Sequence, residues 1–513
     1  MNKRQTVFLV IFLGSFFIAD AQKKSTPEIF AKTITAKDLK KQLTIIAGAE
    51  MEGRDTPSPG LEKAADYISG QFKKFGLKPG NKGSYRQTYS LIKDSIAAIA
   101  LQIDEQSYTS FEDIAPYFVS DNNLYLDFNE FAFVGFGIKD ENRDDYAGLD
   151  VKNKLVVLVN ETPKNYTSSK QGRLSPAFIV NRIKLANENG AKAVLVISEK
   201  IPRRINSAPT YKPAGNNSSK GVPVFIISER VAKAFSGETF SAITNALNNG
   251  TAPLGLHDVS VKVKYNTNES RATASNIIGV VEGTDKKDEY VVISAHYDHV
   301  GKSSDGKIYY GADDDGSGTV SVLEMAEAFA AAKKAGKGPR RSIIFMTVSG
   351  EEKGLWGSEY YASNSIFPLE KTSVDLNIDM IGRIGTDYLN HKDANNYIYV
   401  VGDDKLSSDL TPITEAVNKK YTKLVLDRKF NDPDDPERIY YRSDHYNFAK
   451  NGVPAIFYFN GIHADYHQPT DTIDKINFDL LAKRAQLVFY TAWEMANRND
   501  MLKRDLELPA RGR

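Results

Sequence analysis

Histidines and acidic residues are concentrated in the C-terminal half of the chain. Five of the seven histidines lie there near predicted strand ends or in loops, whereas His257 and His391 stand alone. The five are His296, His299, His445, His463 and His467. Imidazole nitrogens and carboxylate oxygens are ligands that proteins offer to zinc and related metals. The distribution therefore points to a metal site.

One acidic residue follows a predicted strand, and a cluster of three precedes a predicted helix. His296 follows a buried strand predicted over residues 290–295, and Asp298 lies two residues later. A carboxylate there can hold the second ring nitrogen and orient the ring for a metal, although a hydrogen-bonded structural histidine is the alternative. Three consecutive aspartates, residues 313–315, lie between glycines before a predicted helix. Three adjacent carboxylates repel one another unless a cation is present, but solvated acidic loops are also common.

Further polar groups follow or interrupt apolar strands. Glu351 and Glu352 come after the most apolar strand, so one can bind a metal while its neighbour holds a proton. Asp379 lies inside an apolar segment, where an unpaired carboxylate is costly. Tyr466 precedes His467, and a tyrosine hydroxyl beside a ligand can donate to a developing oxyanion. The alternative for the glutamate pair is an acidic first turn of a helix. For Asp379 it is a carboxylate satisfied by backbone donors, and for Tyr466 and His467 it is an ordinary surface loop.

Taken together, these motifs place two histidines, three carboxylates and a spare glutamate at strand ends of one sheet. In open α/β sheets, ligands bind at the carboxyl ends of the strands. The chain has no cysteine, so thiolate ligands are excluded. A nitrogen and oxygen ligand set suits Zn²⁺, with Mn²⁺ or Co²⁺ also possible.

The elements that must position these groups alternate between strand and helix after residue 275. Near-continuous apolar runs at 290–295, 343–348, 376–381 and 453–459 are typical of strands covered on both faces. The predicted fold class is therefore α/β, with a doubly wound mixed, mostly parallel sheet flanked by helices. Residues 26–90 are predicted to be largely helical. Short strand and helix units over about 115–270 indicate a smaller accessory module.

Length, charge and the N-terminus limit the possible classes of protein. The 513 residues allow two or three domains. The 66 basic and 65 acidic residues nearly cancel, so no nucleic-acid partner is expected. A basic start, an apolar run over residues 6–19 and a small-residue site ending at Ala21 predict a cleaved signal peptide. The run is shorter than the roughly 20 residues of a spanning helix, which disfavours an uncleaved anchor. The mature chain is expected to be secreted or periplasmic and outside the membrane.

The motifs over roughly 275–480, with a helical lead-in at about 36–80, resemble those of the M28 family of metallopeptidases. These are zinc aminopeptidases with a phosphorylase/hydrolase-like α/β fold, and all five ligand motifs occur here in the family's order. The resemblance implies two Zn²⁺. The implied ligands are His296 and Asp379 for one zinc, His467 and Glu352 for the other, and Asp314 as the bridge.

The same resemblance implies roles for residues around the metals. Glu351 matches the family's general base, and Asp298 matches the carboxylate behind His296. Asp315 matches a position that is often joined to the bridging aspartate by a cis peptide bond. Tyr466 is similar to a tyrosine that contacts the tetrahedral intermediate in some members.

The middle region resembles a protease-associated (PA) domain inserted into such peptidases, on the segments 146–150 and 189–193. The predicted organisation is a signal peptide (1–21), an N-terminal helical part of the peptidase domain (22–114), the PA-like insert (115–270) and the catalytic domain (271–513). In the family, such inserts cover the active site or shape substrate access.

The sequence thus predicts a secreted, zinc-dependent aminopeptidase that acts on peptides with a free N-terminus. A carboxypeptidase or a glutaminyl-cyclase-like enzyme on the same fold is an alternative, as is an inactive PA-type peptide-binding protein. The complete ligand set with Glu351 argues against the inactive alternative. The sequence sets neither the side-chain specificity nor the oligomeric state.

Overall fold

The computed structural model describes residues 27–109, 111–121, 123–199, 201, 211–214 and 221–508. The predicted signal peptide, residues 1–21, lies outside the described residues. In the part of the chain that is described, no helix is both long enough and apolar enough to cross a bilayer.

Helices and strands alternate along most of the chain. The helices are α1 (Glu28–Ala31), α2 (Ala36–Ile46), α3 (Pro59–Phe75), α4 (Ile179–Glu188), α5 (Glu229–Ser236), α6 (Phe240–Asn248), α7 (Gly318–Lys334), α8 (Trp356–Ser363), α9 (Leu410–Tyr421), α10 (His445–Ala449) and α11 (Phe478–Asn497). The strands are β1 (Lys78–Pro79), β2 (Arg86–Ile103), β3 (Gln106–Tyr108), β4 (Ile114–Phe118), β5 (Asn123–Phe133), β6 (Lys139–Asp140), β7 (Arg143–Asp144), β8 (Leu155–Val159), β9 (Ala193–Ile197), β10 (Tyr211–Pro213), β11 (Val224–Ile227), β12 (Gly255–Val281), β13 (Lys286–His296), β14 (Arg341–Val348), β15 (Thr372–Ile378), β16 (Tyr397–Val401), β17 (Val425–Asp427) and β18 (Ala455–Phe459).

A parallel core of four strands lies at the centre of the C-terminal half. Strand β13 pairs in parallel with β14 and β15, and β15 pairs in parallel with β18. Successive residues of β13 belong to opposite cores: Val291 and Ile293 pack with α2, α3, α7 and α11, whereas Val292 packs on the side of α8 and α10. Both faces are therefore covered, which explains the continuous apolar runs. The predicted α/β class, with a large mixed sheet flanked by helices, is confirmed.

A long antiparallel ribbon of β2 and β12 connects this sheet to the strands of residues 115–270. Strand β12 is 27 residues long. It pairs with β14 at its C-terminal end and with β5 nearer its start, while β2 runs along it from residue 261 to 277. Beyond β5, strands β8, β9 and β11 are parallel neighbours with apolar cores on both faces. Strand β12 passes through the predicted boundary at residue 270 without interruption.

The prediction of a largely helical segment to about residue 90 is wrong after Phe75. Helix α3 ends at Gly76, whose φ of 81° forms a left-handed C-cap. From Arg86 the chain is extended, with Gln87, Tyr89 and Leu91 buried and the residues between them exposed. That alternation is the period of a strand that packs on one face. Only the first part of the predicted 22–114 unit is therefore helical.

The contact between α2, α3 and α7 encloses an acidic side chain, Glu324 of α7. Its residue is 4% exposed, and it faces Gln42, which accepts a short hydrogen bond from the hydroxyl of Tyr67. Burial raises the pKa of Glu324 to about 7, and the nearby carboxylates of Glu327 and Asp38 act in the same direction.

We expect Glu324→Gln to change the pH dependence of folding stability. A folded pKa above the unfolded value means that wild-type stability falls as the pH rises from about 4.5 to 7 and is level above that range. The variant lacks this loss. The free energy of unfolding of the variant, relative to that of the wild type, should therefore increase by up to about 3 kcal/mol as the pH rises through this range. Urea unfolding at pH 5 and pH 8 measures the difference. Glu188→Gln, on exposed α4, is the control, and parallel pH profiles for wild type and Glu324→Gln would contradict the expectation.

Candidate active site

The candidate ligands follow three neighbouring parallel strands. His296 ends β13, the glutamate pair follows β14, and Asp379 follows β15 directly. The register pairs His296 with Val348 and Ser294 with Asn377. Because parallel neighbours end at the same edge of a sheet, these side chains are brought together there.

The first group of candidate ligands surrounds His296. Its Nε2 lies 3.3 Å from Asp314 Oδ1, 3.6 Å from Asp379 Oδ1 and 3.8 Å from Glu351 Oε2. His296 and Asp379, which the sequence assigns to one metal, are thus adjacent. Glu351 lies beside the same ring nitrogen of His296.

The second group surrounds Glu352. The Nε2 atom of His467 lies 2.9 Å from Glu352 Oε2 and 3.1 Å from Asp314 Oδ2. Asp314 therefore presents one carboxylate oxygen to each group, which is the arrangement expected of a bridging ligand. All five residues named as ligands from the sequence converge.

His299 is a member of the second group to which the sequence assigned no role. Its Nδ1 lies 2.8 Å from Glu352 Oε1 and 3.7 Å from Asp314 Oδ2, and the side chain is fully buried. The available signal was the spacing, since His299 lies three residues after His296 in one strand-end loop.

Asp298 contributes more to the loops than to the ring of His296. Its carboxylate lies 3.6 Å from His296 Nδ1, whereas its backbone oxygen lies at 3.1 Å. The carboxylate accepts hydrogen bonds from the backbone N–H of Glu351 at 3.2 Å and from the hydroxyl of Thr56 at 3.1 Å. It thereby joins the loops after β13 and β14 to the N-terminal segment.

Tyr466 lies over the second group. Its ring stacks on that of His467 with centroids 3.9 Å apart, and its hydroxyl lies 3.3 Å from Arg442 Nη2. Burial raises the pKa of Tyr466, and the carboxylates of Asp314 and Glu352 add to the effect. The hydroxyl therefore keeps its proton at neutral pH and can act as a donor.

Asp315 holds the strand ends together behind the ligands. The peptide bond between Asp314 and Asp315 is cis, as the resemblance implies. The Asp315 carboxylate accepts hydrogen bonds from three backbone N–H groups, those of Gly318 (2.8 Å), Met380 (3.1 Å) and His296 (3.2 Å). One side chain thus fixes the ends of β13 and β15 and the start of α7.

Two more side chains orient individual ligands. Asp471 Oδ2 accepts hydrogen bonds from the backbone N–H groups of Asp313 and Asp314, at 3.0 and 3.2 Å. The hydroxyl of Ser443 donates to Asp379 Oδ2 at 2.7 Å. The bridging and terminal carboxylates are therefore held from outside the ligand set.

The facing atoms of both groups fit a cation. Six buried atoms of the residues in the two groups have no hydrogen-bond partner in the described part of the chain: His296 Nε2, both ring nitrogens of His299, Asp314 Oδ2, Glu352 Oε1 and His467 Nε2. Burial alone would lower the pKa of His467, but the carboxylates of Asp314 and Glu352 raise it to about 10. Positive charge is thus favoured at this point, and imidazole and carboxylate ligands without sulfur suit zinc.

The fold and the site define an α/β protein with a candidate metal centre, lined by imidazoles and carboxylates, at the carboxyl ends of its parallel strands. Residues 276–492 match the sequence profile of peptidase family M28. This match covers the part of the chain that carries the candidate site.

Sequence similarity to known proteins extends beyond residues 276–492. The chain is 24% identical over 352 residues to the aminopeptidase YwaD of Bacillus subtilis, covering 64% of each chain. It is 30% identical over 221 residues to a probable leucine aminopeptidase of Arthroderma otae, covering 42% of this chain and 56% of the relative. The chain thus spans less than two thirds of the length of these curated relatives.

Solved structures share the fold over nearly the whole chain. The aminopeptidase from Aneurinibacillus sp. strain AM-1 has a TM-score of 0.57 at 21% identity, over 95% of this chain and 100% of that one. A zinc aminopeptidase from Bacillus subtilis has a TM-score of 0.53 at 20% identity, over 92% of this chain and 98% of that one. At these identities the similarity establishes the fold alone.

Arg54, a residue that the sequence analysis did not single out, anchors the ligand loops. It is fully buried, and its guanidinium donates to backbone carbonyls only. The acceptors are Tyr297 (2.8 Å), Ile46 (2.7 Å), Tyr310 (2.9 Å) and Gly311 (2.9 Å). Tyr297 lies between His296 and Asp298, and Gly311 precedes the three aspartates, so Arg54 joins both ligand loops to the end of α2.

We expect Arg54→Met to destabilise the fold by about 3–5 kcal/mol, because it leaves four buried carbonyl groups without their donor. Urea unfolding of metal-free protein measures this. Arg86→Met is the matched control: Arg86 pairs with Glu62 and Asp66 at the surface, and exposed pairs contribute roughly 1 kcal/mol or less. Equal losses in the two variants would contradict the anchoring role of Arg54.

Proposed function

We propose that this chain is an exported, two-zinc aminopeptidase that removes N-terminal residues from peptides. The observation that carries the proposal is the convergence of the five expected ligands with Glu351 beside them. The match of residues 276–492 to peptidase family M28 and the similarity to aminopeptidases support it. The proposed ligands are His296 and Asp379 for one zinc, His467 and Glu352 for the other, and Asp314 between them.

In this proposal Glu351 moves the proton. When bound, the pair of cations supplies an acidified water and stabilises negative charge that develops on the substrate carbonyl. Burial raises the pKa of Glu351 well above its usual value, opposed by His296 and reinforced by Glu352. A carboxyl with raised proton affinity can take a proton from the attacking water and pass it to the leaving amine. The Tyr466 hydroxyl is the proposed donor to the oxyanion.

A small pocket beside the carboxylates is the proposed site for the substrate's N-terminal residue. Asp314, Glu351 and Asp379 lie on one side of it, so an N-terminal amine bound there would lie next to the proposed metals. The rest of the lining is mainly apolar and consists of Met380, Ile439, Phe457, Phe459 and Ile462, with Arg442 and Tyr466. This lining favours an apolar over a charged N-terminal side chain.

Two further features belong to the proposal. The segment 1–21 would direct export and be removed after Ala21. Residues 115–270 would be a PA-like insert, between the N-terminal part (22–114) and the catalytic domain (271–513), that shapes access to the site. This region contacts the C-terminal half of the protein, since the backbone N–H of Arg173 donates to the carbonyl of Pro436 at 3.2 Å.

We expect Glu351→Gln to bind zinc normally but to turn over about 10²–10⁴-fold more slowly, the usual effect of losing a general base. Initial rates on aminoacyl arylamides, together with elemental analysis for zinc, measure both properties. Glu359→Gln, in the surface pair with Lys450, should behave as the wild type. Near-normal turnover by Glu351→Gln would remove Glu351 from this role, and absence of zinc from the wild type would sink the proposal.

The pocket predicts the order of substrates. Leucyl, methionyl and phenylalanyl arylamides should exceed glycyl and aspartyl arylamides by about 10-fold or more in kcat/KM. Ile462→Trp, which narrows the pocket, should reduce the rate on the leucyl substrate more than on the glycyl one. Acetyl-leucyl arylamide should be inert, because its amine is blocked. Cleavage of the acetylated substrate, or release of C-terminal residues from peptides, would favour an endopeptidase or carboxypeptidase instead.

A further inference from the structure

His299 is a buried imidazole inside the candidate metal centre that the proposed ligand scheme does not use. It is 0% exposed. Its ring lies so close to Gly311 that a Cβ added to that glycine would be 2.5 Å from His299 Cγ. The ring is therefore fixed, and only glycine leaves room for it.

His299 approaches the second group without a hydrogen bond of standard geometry. Its Nδ1 is 2.8 Å from Glu352 Oε1, yet neither atom has a hydrogen-bond partner in the described residues, and His299 Nε2 has none there either. Two buried ligand atoms that lie this close without a well-directed hydrogen bond between them are a pair that one shared cation would hold together.

The distances around that position agree with a zinc site. Ligand atoms about 2.0–2.1 Å from a tetrahedral zinc lie about 3.3 Å from one another. His299 Nδ1 is 2.8 Å from Glu352 and 3.7 Å from Asp314, while His467 Nε2 is 2.9 and 3.1 Å from the same two carboxylates. Two imidazoles and two carboxylates thus surround one point.

We propose that His299 is a further ligand of the second zinc, together with His467, Glu352 and Asp314. This inference rests on the proposed function. It makes the two sites unequal, because the second has four protein ligands and the first, with His296, Asp379 and Asp314, has three. Four ligands close a tetrahedral site, whereas three leave a position open. The first site, which Glu351 adjoins, is therefore the one that keeps an open position for water, and the second is the tighter site.

Zinc affinity tests the proposal without reference to activity. Metal-free wild type, His299→Ala and His299→Asn are titrated with Zn²⁺ against a chromophoric chelator. The wild type should bind two zinc ions of unequal affinity, and His299→Ala should weaken the tighter one by about 100-fold or more, beyond the 10–100-fold that loss of an outer-sphere contact costs. The exposed histidine variant His391→Ala is the matched control and should leave both affinities unchanged.

The asparagine variant and a spectroscopic count separate a ligand from a positioning group. An asparagine amide can donate to Glu352 but is a poor zinc ligand, so His299→Asn should be as weak as His299→Ala. X-ray absorption should count about 1.5 imidazole nitrogens per zinc in the wild type and about 1.0 in His299→Asn. Restored affinity in His299→Asn, or a count near 1.0 in the wild type, would overturn the assignment. A wild type with no zinc would instead refute the proposed function, whereas two zinc ions with unchanged affinity in His299→Ala would refute this inference alone.

Discussion

Burial of like charges at one edge of the sheet is the constraint on which this structure depends. The side chains of Asp314, Glu352 and Asp379 are largely removed from solvent. Asp314 and Asp379 lie within 4 Å of His296 Nε2, and Asp314 and Glu352 lie within 4 Å of His467 Nε2. The buried guanidinium of Arg54 bonds to carbonyls and not to these carboxylates. Carboxylates in such a cluster cannot all ionise unless positive charge is added. Protons on the histidines supply it without a metal, and divalent cations can replace them.

The surrounding fold holds this repulsive arrangement in place by means of neutral donors. Backbone N–H groups bind Asp315 and Asp471, and the Ser443 hydroxyl binds Asp379. These contacts neutralise no charge, but they fix the direction of the Asp379 carboxylate and the backbone that carries Asp314. The ligands are therefore positioned before a metal arrives, which reduces the reorganisation that binding requires.

The convergence of the five ligands was predictable because it follows from topology. His296 and Asp379 end or follow apolar strands, and parallel strands share a carboxyl edge. Arg54 was not predictable, since three of its four acceptors are carbonyls more than 240 positions away, such as that of Tyr297, and no local pattern marks them. The strand after Arg86 was missed because its alternation is recognisable only beside its partner β12. The pocket was missed because its side chains come from five separate segments of the chain.

The β2–β12 ribbon connects the strands of residues 115–270 directly to the sheet that carries the candidate active site. Tyr89 of β2 donates from its hydroxyl to the carbonyl of Ser349 at 3.0 Å, two residues before the proposed base Glu351. The same ribbon carries the sheet of residues 115–270 at its far end, paired through β5. A hinge between the two halves would have to break this ladder, since β12 has no loop between them. Residues 115–270 also contact the C-terminal half at Pro436, three residues from the pocket residue Ile439, so the two parts are joined at a second point beside the candidate site.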